Sequence, residues 1–160
     1  MMTEPLPPIV KTIDVPCDQA RAFEIFVSGL PGWWPVEQRS MSLMWNGGQP
    51  AAELRVEPRK GGRITEISPD GDEYHWATIT VYDPYDRLKM DFHMGLSPET
   101  ASLVEVDFHA LDDRRTRVVL TQSRWEAFGD LAADMYGGYG SSWAMIFEEG
   151  YGAACAASVQ

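Results

Sequence analysis

The sequence predicts an α+β domain in which one long helix lies across an antiparallel sheet. Three observations carry this reading. Between residues 52 and 125 apolar side chains recur with a period of two, the mark of strands with one buried and one wet face. Short turns rich in Gly, Pro and Asp separate the runs, which favours antiparallel neighbours. From about Phe128 to Ala157 the apolar period changes to three and four residues, as in an amphipathic helix. Such a helix must cover something apolar, and the inner face of the sheet is the available partner.

The elements follow in order. "IVKTIDV" (Ile9 to Val15) is β-branched and alternating, so it predicts a strand that Pro16 ends. Asp18 is placed to cap a helix over "QARAFEIFVSGL", whose Ala22, Phe23, Phe26 and Val27 share one face. Gly29, Pro31 and Gly32 break the chain before a pair of tryptophans, Trp33 and Trp34. Residues 36 to 51 read as loop. The strands "AELRVEP", "GGRITEIS" and "EYHWATITVY" come next, the last two joined by "PDGD". After "DPYD" comes "RLKMDFHMG", with Leu88, Met90, Phe92 and Met94 on the inner phase and Lys89, Asp91 and His93 on the outer. "SLVEVDFHAL" places Val104, Val106 and Phe108 inward, and "RVVLTQSRW" does the same for Val118, Leu120 and Gln122. In the tail, "YGGYGSS" predicts an interruption, with Ser141 or Ser142 capping a fresh helix near Trp143. Trp143, Ile146, Phe147, Gly150, Tyr151 and Ala154 then form the stripe.

At 160 residues the chain is expected to be a single domain, and 44% hydrophobic content argues for a folded core. A net charge of −11 opposes binding to nucleic acid or anionic membranes. The basic cluster Arg114, Arg115 and Arg117 sits next to Asp112 and Asp113 and reads as a hairpin tip. No apolar run reaches the roughly 20 residues of a membrane helix, and "MMTEPLPPIVKTIDV" lacks the pattern of a signal peptide. With only Cys17 and Cys155, reduced thiols and a cytoplasmic location are the expectation.

The order "FEIFVSGLPGWWP", "EPRKGGRITEISPDGDEYHWATITVYDPYDRLKMDF", "VEVDFHALDDRRTRVVLTQSRWE" and the Trp143 tail resembles the START-like (SRPBCC) superfamily. Within it, the chain is similar to the branch named after the activator of the heat shock protein 90 ATPase, over about residues 9–157. The resemblance implies a helix-grip fold: a curved antiparallel sheet of about six to seven strands around a long C-terminal helix, with a cavity between them. Many members bind apolar or amphipathic small molecules there, others are enzymes, and a eukaryotic subgroup acts as co-chaperones. In many relatives a His stands where this chain has Gln122, and usually a Gly where it has Arg124. Gln122 offers a neutral hydrogen bond in place of that His.

The leading expectation is therefore a binding protein for a small apolar or lipid-like ligand, not an enzyme, with no cofactor. The expected lining residues from the loop and strands are Trp34, Trp45, Met90, Phe92, Val106 and Phe108. Leu120 and Gln122 add to them from the last strand, and Trp143 and Phe147 from the helix. The alternative for the tryptophan pair is simply to anchor its loop. A second reading is a chaperone- or stress-linked interaction module, by analogy with the family name. A third is a hydrolase- or cyclase-type enzyme acting through Glu66 or a histidine. Glu66 is in phase with the inward Ile64, so it is either a buried carboxylate or shifted outward by a bulge. No HxH, HExxH or CxxC spacing occurs, so no metal is expected. The short strand "AELRVEP" is a candidate edge for a homodimer.

Overall fold

The computed structural model describes residues 6–36, 49–93 and 101–158. Seven strands form one antiparallel sheet: β1 (Ile9–Val15), β2 (Glu53–Val56), β3 (Arg63–Ile67), β4 (Glu73–Asp83), β5 (Arg87–Phe92), β6 (Ser102–Asp112) and β7 (Arg115–Ser123). Their spatial order is β1-β7-β6-β5-β4-β3-β2, so a meander of six strands is closed by β1 beside β7, and β1 and β2 are the edges. The sheet curls, and its concave face is the apolar one.

Two short helices, α1 (Gln19–Val27) and α2 (Leu30–Trp33), follow β1. The Asp18 side chain accepts from the Arg21 amide at 2.8 Å and so caps α1. Its apolar face, Ala22, Phe23, Phe26 and Val27, is buried as the spacing predicts. At the far end a tight 3₁₀ turn, Trp125–Leu131, kinks at Gly129 (φ 59°) and leads into a continuous C-terminal helix. That helix has three parts: α3 (Ala132–Trp143), a π-helical stretch (Ala144–Tyr151) and α4 (Gly152–Ala157).

The predicted interruption at "YGGYGSS" is not a break. Helix α3 runs through Gly137, Gly138 and Gly140, and the Ser141 hydroxyl bonds back to the carbonyls of Gly137 and Gly138 instead of starting a new helix. Burial of Tyr139 and Trp143 against the sheet outweighs the poor helix propensity of the glycines. The helix is tied at its other end as well. Tyr151 Oη donates to the Ala22 carbonyl at 2.7 Å, Arg21 donates to the Ser158 carbonyl at 2.9 Å, and Lys11 of β1 pairs with Glu148 at 3.5 Å.

Inner strand phases fall where the alternation puts them. Leu88, Met90, Phe92, Val104, Val106, Phe108, Val118, Leu120 and Gln122 are all buried. Each fully buried aliphatic or aromatic side chain stabilises by about 1.5–3 kcal/mol, so this face is the main source of stability. The hairpin tip is a charged turn, as expected: Asp112 accepts from the Arg114 amide at 2.8 Å and from Arg115 Nε at 2.9 Å.

Candidate functional site

The layer between sheet and C-terminal helix is built largely from aromatic rings. The tryptophan pair divides its work. Trp33, at the end of α2, donates from Nε1 to the Ile25 carbonyl at 2.7 Å and packs on Phe26 and Tyr151, with centroids 5.3 Å away in each case. Trp34 has left the helix (φ −69°, ψ 127°) and turns toward the sheet, meeting Trp76 at 4.9 Å, Trp143 at 6.1 Å and Phe92 at 6.3 Å. Both indoles are buried, 7% and 5% exposed. Gly150 makes room for this arrangement: a Cβ there would lie 2.9 Å from the Trp33 carbonyl oxygen.

The rings form two groups. Toward α1, Phe23, Phe26 and Phe108 interlock edge to face, and Phe147 stacks on Tyr151 at 5.6 Å and 6°. Toward α3, Phe92, Tyr139 and Trp143 contact one another and Trp34. Met90, Val106 and Leu120 belong to the same buried core on the strands between. Nine of the ten expected lining residues therefore stand on or against the concave face. Trp45 lies outside the described residues.

Gln122 sits at the centre of a polar chain. Its Oε1 accepts from Trp143 Nε1 at 2.8 Å, its Nε2 donates to Ser102 Oγ at 3.0 Å, and Ser102 donates on to the Phe92 carbonyl at 2.8 Å. All three side chains are essentially solvent-free. The amide has both a donor and an acceptor end, and this chain uses both. Gln122 thus fixes the helix to two strands.

Glu66 is fully buried, in phase with Ile64, and the bulge lies on the partner strand instead. Ile64 pairs with Ala77 and Thr65 with His75, so Trp76 is the extra residue on β4. In consequence Trp76 and Ala77, neighbours in sequence, are both buried, and Trp76 Nε1 donates to Glu66 Oε1 at 3.0 Å. His93 also departs from its strand phase. It was expected on the wet face and is 1% exposed, because β5 ends at Phe92 and the alternation stops there. Its amide bonds to the Trp76 carbonyl at 2.8 Å, and its ring meets His75 edge to face at 4.6 Å. His109 is exposed.

Cys17 and Cys155 are both free and buried, with thiols within hydrogen-bonding reach of each other. Burial pushes the Cys155 thiol up to about 12 and raises Cys17 as well, so neither is an activated nucleophile. Among the described residues no group of three or more His, Cys, Asp or Glu side chains is arranged to hold a metal ion.

Two buried donors stand apart. Trp125 Nε1 and the Tyr139 hydroxyl have no hydrogen-bond partner among the described residues. Their rings are neighbours, with centroids 5.8 Å apart. Tyr139 was hidden in the sequence by the glycines around it. The signal that pointed to it is its place four residues before Trp143, on the same helical face.

A curled antiparallel sheet gripping a C-terminal helix through an aromatic layer is the fold of the START-like (SRPBCC) class. The profile of the family described as Activator of Hsp90 ATPase homolog 1-like protein matches residues 21–149, and the chain belongs to that family. Among solved structures it is similar to the anthrahydroquino-gamma-pyrone synthase Txn09 complexed with SUM. That match has 30% identity over 84% of this chain and 88% of the other, with a TM-score of 0.57. It is also similar to CalC, a self-sacrificing resistance protein from Micromonospora echinospora (26% identity, 93% and 94% coverage, TM-score 0.68). The Aha1 dimer from Colwellia psychrerythraea shares the fold at 15% identity, with 91% and 100% coverage and a TM-score of 0.56. Comparison with curated proteins gave no match.

Proposed function

We propose that this domain binds a small, largely apolar ligand carrying aromatic character between the concave face and the C-terminal helix. The observation that carries the reading is the ring-on-ring layer of Trp34, Trp76, Phe92, Tyr139 and Trp143. Its contacts are tilted, edge-to-face and, for Tyr139 on Trp143, stacked, the kinds a flat guest reproduces when it slides between two rings. The similarity to Txn09, whose name describes a fused-ring product, supports an aromatic guest over an acyl chain. Lining by Trp34, Met90, Phe92, Val106, Phe108, Leu120, Trp143 and Phe147 supplies affinity at roughly 25 cal/mol per Å² buried. Gln122 acts here as the strut that holds Trp143 in place.

A thermal-shift screen with lipids and polycyclic aromatics tests this. A ligand at about a hundred times its Kd adds roughly 2.7 kcal/mol of stability. For a domain of this size that is an upward shift of about 5–10 °C. A melting temperature unmoved across both compound classes rejects the reading.

One observation favours a second reading, a cyclase- or hydrolase-type enzyme in the same space. Glu66 is a fully buried carboxylate on the inner face, and it holds the indole of Trp76 beside Trp34. In that reading it is the acid or base, and Glu66→Gln abolishes turnover while the ligand still binds. Retained turnover in that variant rejects it. A cytoplasmic location fits either reading; no helix among the described residues is long and apolar enough to cross a membrane. Strand β2 as a sheet edge fits a homodimer like that of Aha1, which light scattering of the purified chain tests directly.

A further inference from the structure

Buried polar atoms in folded proteins nearly always have a partner, so an orphaned pair calls for an explanation. Trp125 is 0% exposed and Tyr139 8%, yet neither the indole N–H nor the phenol has a hydrogen bond among the described residues. The two are not scattered defects. They belong to one patch, in which Trp125 meets Tyr136 at 5.0 Å and Tyr139 at 5.8 Å, while Tyr139 stacks on Trp143 at 6.2 Å and 22°. The patch lies at the α3 end of the aromatic layer, with Trp125 two residues beyond Ser123, where β7 stops.

We propose that Trp125 Nε1–H and the Tyr139 hydroxyl form the polar end of the ligand site, donating to a neutral carbonyl oxygen conjugated to a flat aromatic ligand. This rests on the reading that the domain binds a ligand between sheet and helix. An indole nitrogen can only donate, and a phenol donates readily, so the complementary group is an acceptor. The acceptor is neutral because the surroundings are hostile to charge. No Lys or Arg among the described residues is buried, and the nearest cation in sequence, Arg124, is turned outward to Asp91 at 3.7 Å. A carboxylate brought here would lose its hydration with no cation to replace it. Burial likewise pushes the Tyr139 hydroxyl well above the ordinary tyrosine value, keeping it protonated as a donor. The flat aromatic body follows from the walls, which are aromatic rings: Phe92 and Trp143 against Tyr139, and Phe128 and Tyr136 against Trp125.

The test uses 9-fluorenone and fluorene, the same flat tricycle with and without a carbonyl oxygen. Binding is followed by fluorescence quenching and thermal shift with the full chain. Wild type is expected to bind fluorenone about tenfold or more tightly than fluorene, the ordinary consequence of leaving buried donors unpaired in the hydrocarbon complex. Tyr139→Phe, which keeps the ring, lowers fluorenone affinity by about three- to tenfold and leaves fluorene affinity within about twofold, while Trp125→Phe lowers fluorenone affinity by a larger factor than it lowers fluorene affinity. Unliganded Tyr139→Phe melts at or above the wild-type temperature, since it removes an unpaired hydroxyl. If the two tricycles bind equally well and the variants change neither, the polar end is wrong although the ligand site stands. If neither binds wild type, both readings fall. If unliganded Tyr139→Phe melts several degrees lower, the hydroxyl already has a partner in the fold and the inference is overturned.

Discussion

Replacing Gln122 with Leu measures how firmly the C-terminal helix is held to the sheet. The substitution keeps the bulk of the side chain and removes both ends of its amide. Two buried hydrogen bonds are lost, at 2.8 Å to Trp143 and 3.0 Å to Ser102. Each is worth about 1 kcal/mol net. Ser102 keeps its bond to the Phe92 carbonyl, so only Trp143 Nε1 is orphaned, which adds to the cost within a range of about 1–3 kcal/mol. Leucine packs well among Val104, Leu120 and Trp143, so the cavity contribution is small. The expected loss is therefore about 2–4 kcal/mol, or roughly 5–15 °C in melting temperature. Trp143→Phe removes the other partner, and the double variant leaves no orphan. A double-mutant cycle by urea denaturation, followed by circular dichroism, should return a coupling of about 1–2 kcal/mol with an unchanged m-value. Additivity within about 0.5 kcal/mol would refute the reasoning, because the two side chains would then not depend on each other.

Other outcomes follow from single residues. Arg124 sits at φ 65°, ψ 42°, a left-handed conformation that costs a side chain about 1–2 kcal/mol, and its exposed pairing with Asp91 returns little. Arg124→Gly should raise stability by about 0.5–1 kcal/mol while Arg124→Ala moves it by less than about 0.5; equal gains would exclude the backbone as the source. Gly150→Ala puts a methyl 2.9 Å from the Trp33 carbonyl oxygen and should cost about 1–3 kcal/mol in urea melts, whereas an unchanged midpoint would mean that α2 does not rest on the helix there. Burial raises the Cys155 thiol to about 12, so the unfolded chain, with its ordinary thiol near 9, loses that proton first. The stabilising contribution is whole below about pH 9 and is lost as pH rises toward 12, at up to about 1.4 kcal/mol per unit. Cys155→Ala should flatten that part of the alkaline stability curve, and an unchanged slope would assign it to other groups.

The sheet was legible because period-two alternation survives wherever one face is dry. Leu88, Met90, Phe92, Val104, Val106 and Phe108 all point where the pattern puts them. The family resemblance supplied the grip of helix on sheet, which local patterning alone suggests only loosely. What stayed hidden lies where a local rule yields to pairing or packing. His93 follows the last paired residue of β5, and its amide bonds to the bulged Trp76 of β4, so strict alternation does not carry on to it. Glu66 kept its inward phase because the bulge fell on β4, and a single strand carries no record of its partner's extra residue. The glycines of α3 read as a break, yet a helix whose Tyr139 and Trp143 are buried tolerates them. The hydrogen bonds of Gln122 to Trp143 and Ser102 stayed hidden too, since no spacing rule announces a contact across 21 residues.

The widened turn between Ala144 and Tyr151 sets the rotational phase of everything after it. Beyond that turn, Tyr151 reaches the Ala22 carbonyl and Cys155 faces Cys17. Wound as an ordinary helix, the same eight residues would swing the tail by well over a quarter turn. Both clasps would then be aimed away from α1. The winding of these eight residues is accordingly a tighter constraint on the tail than their identity.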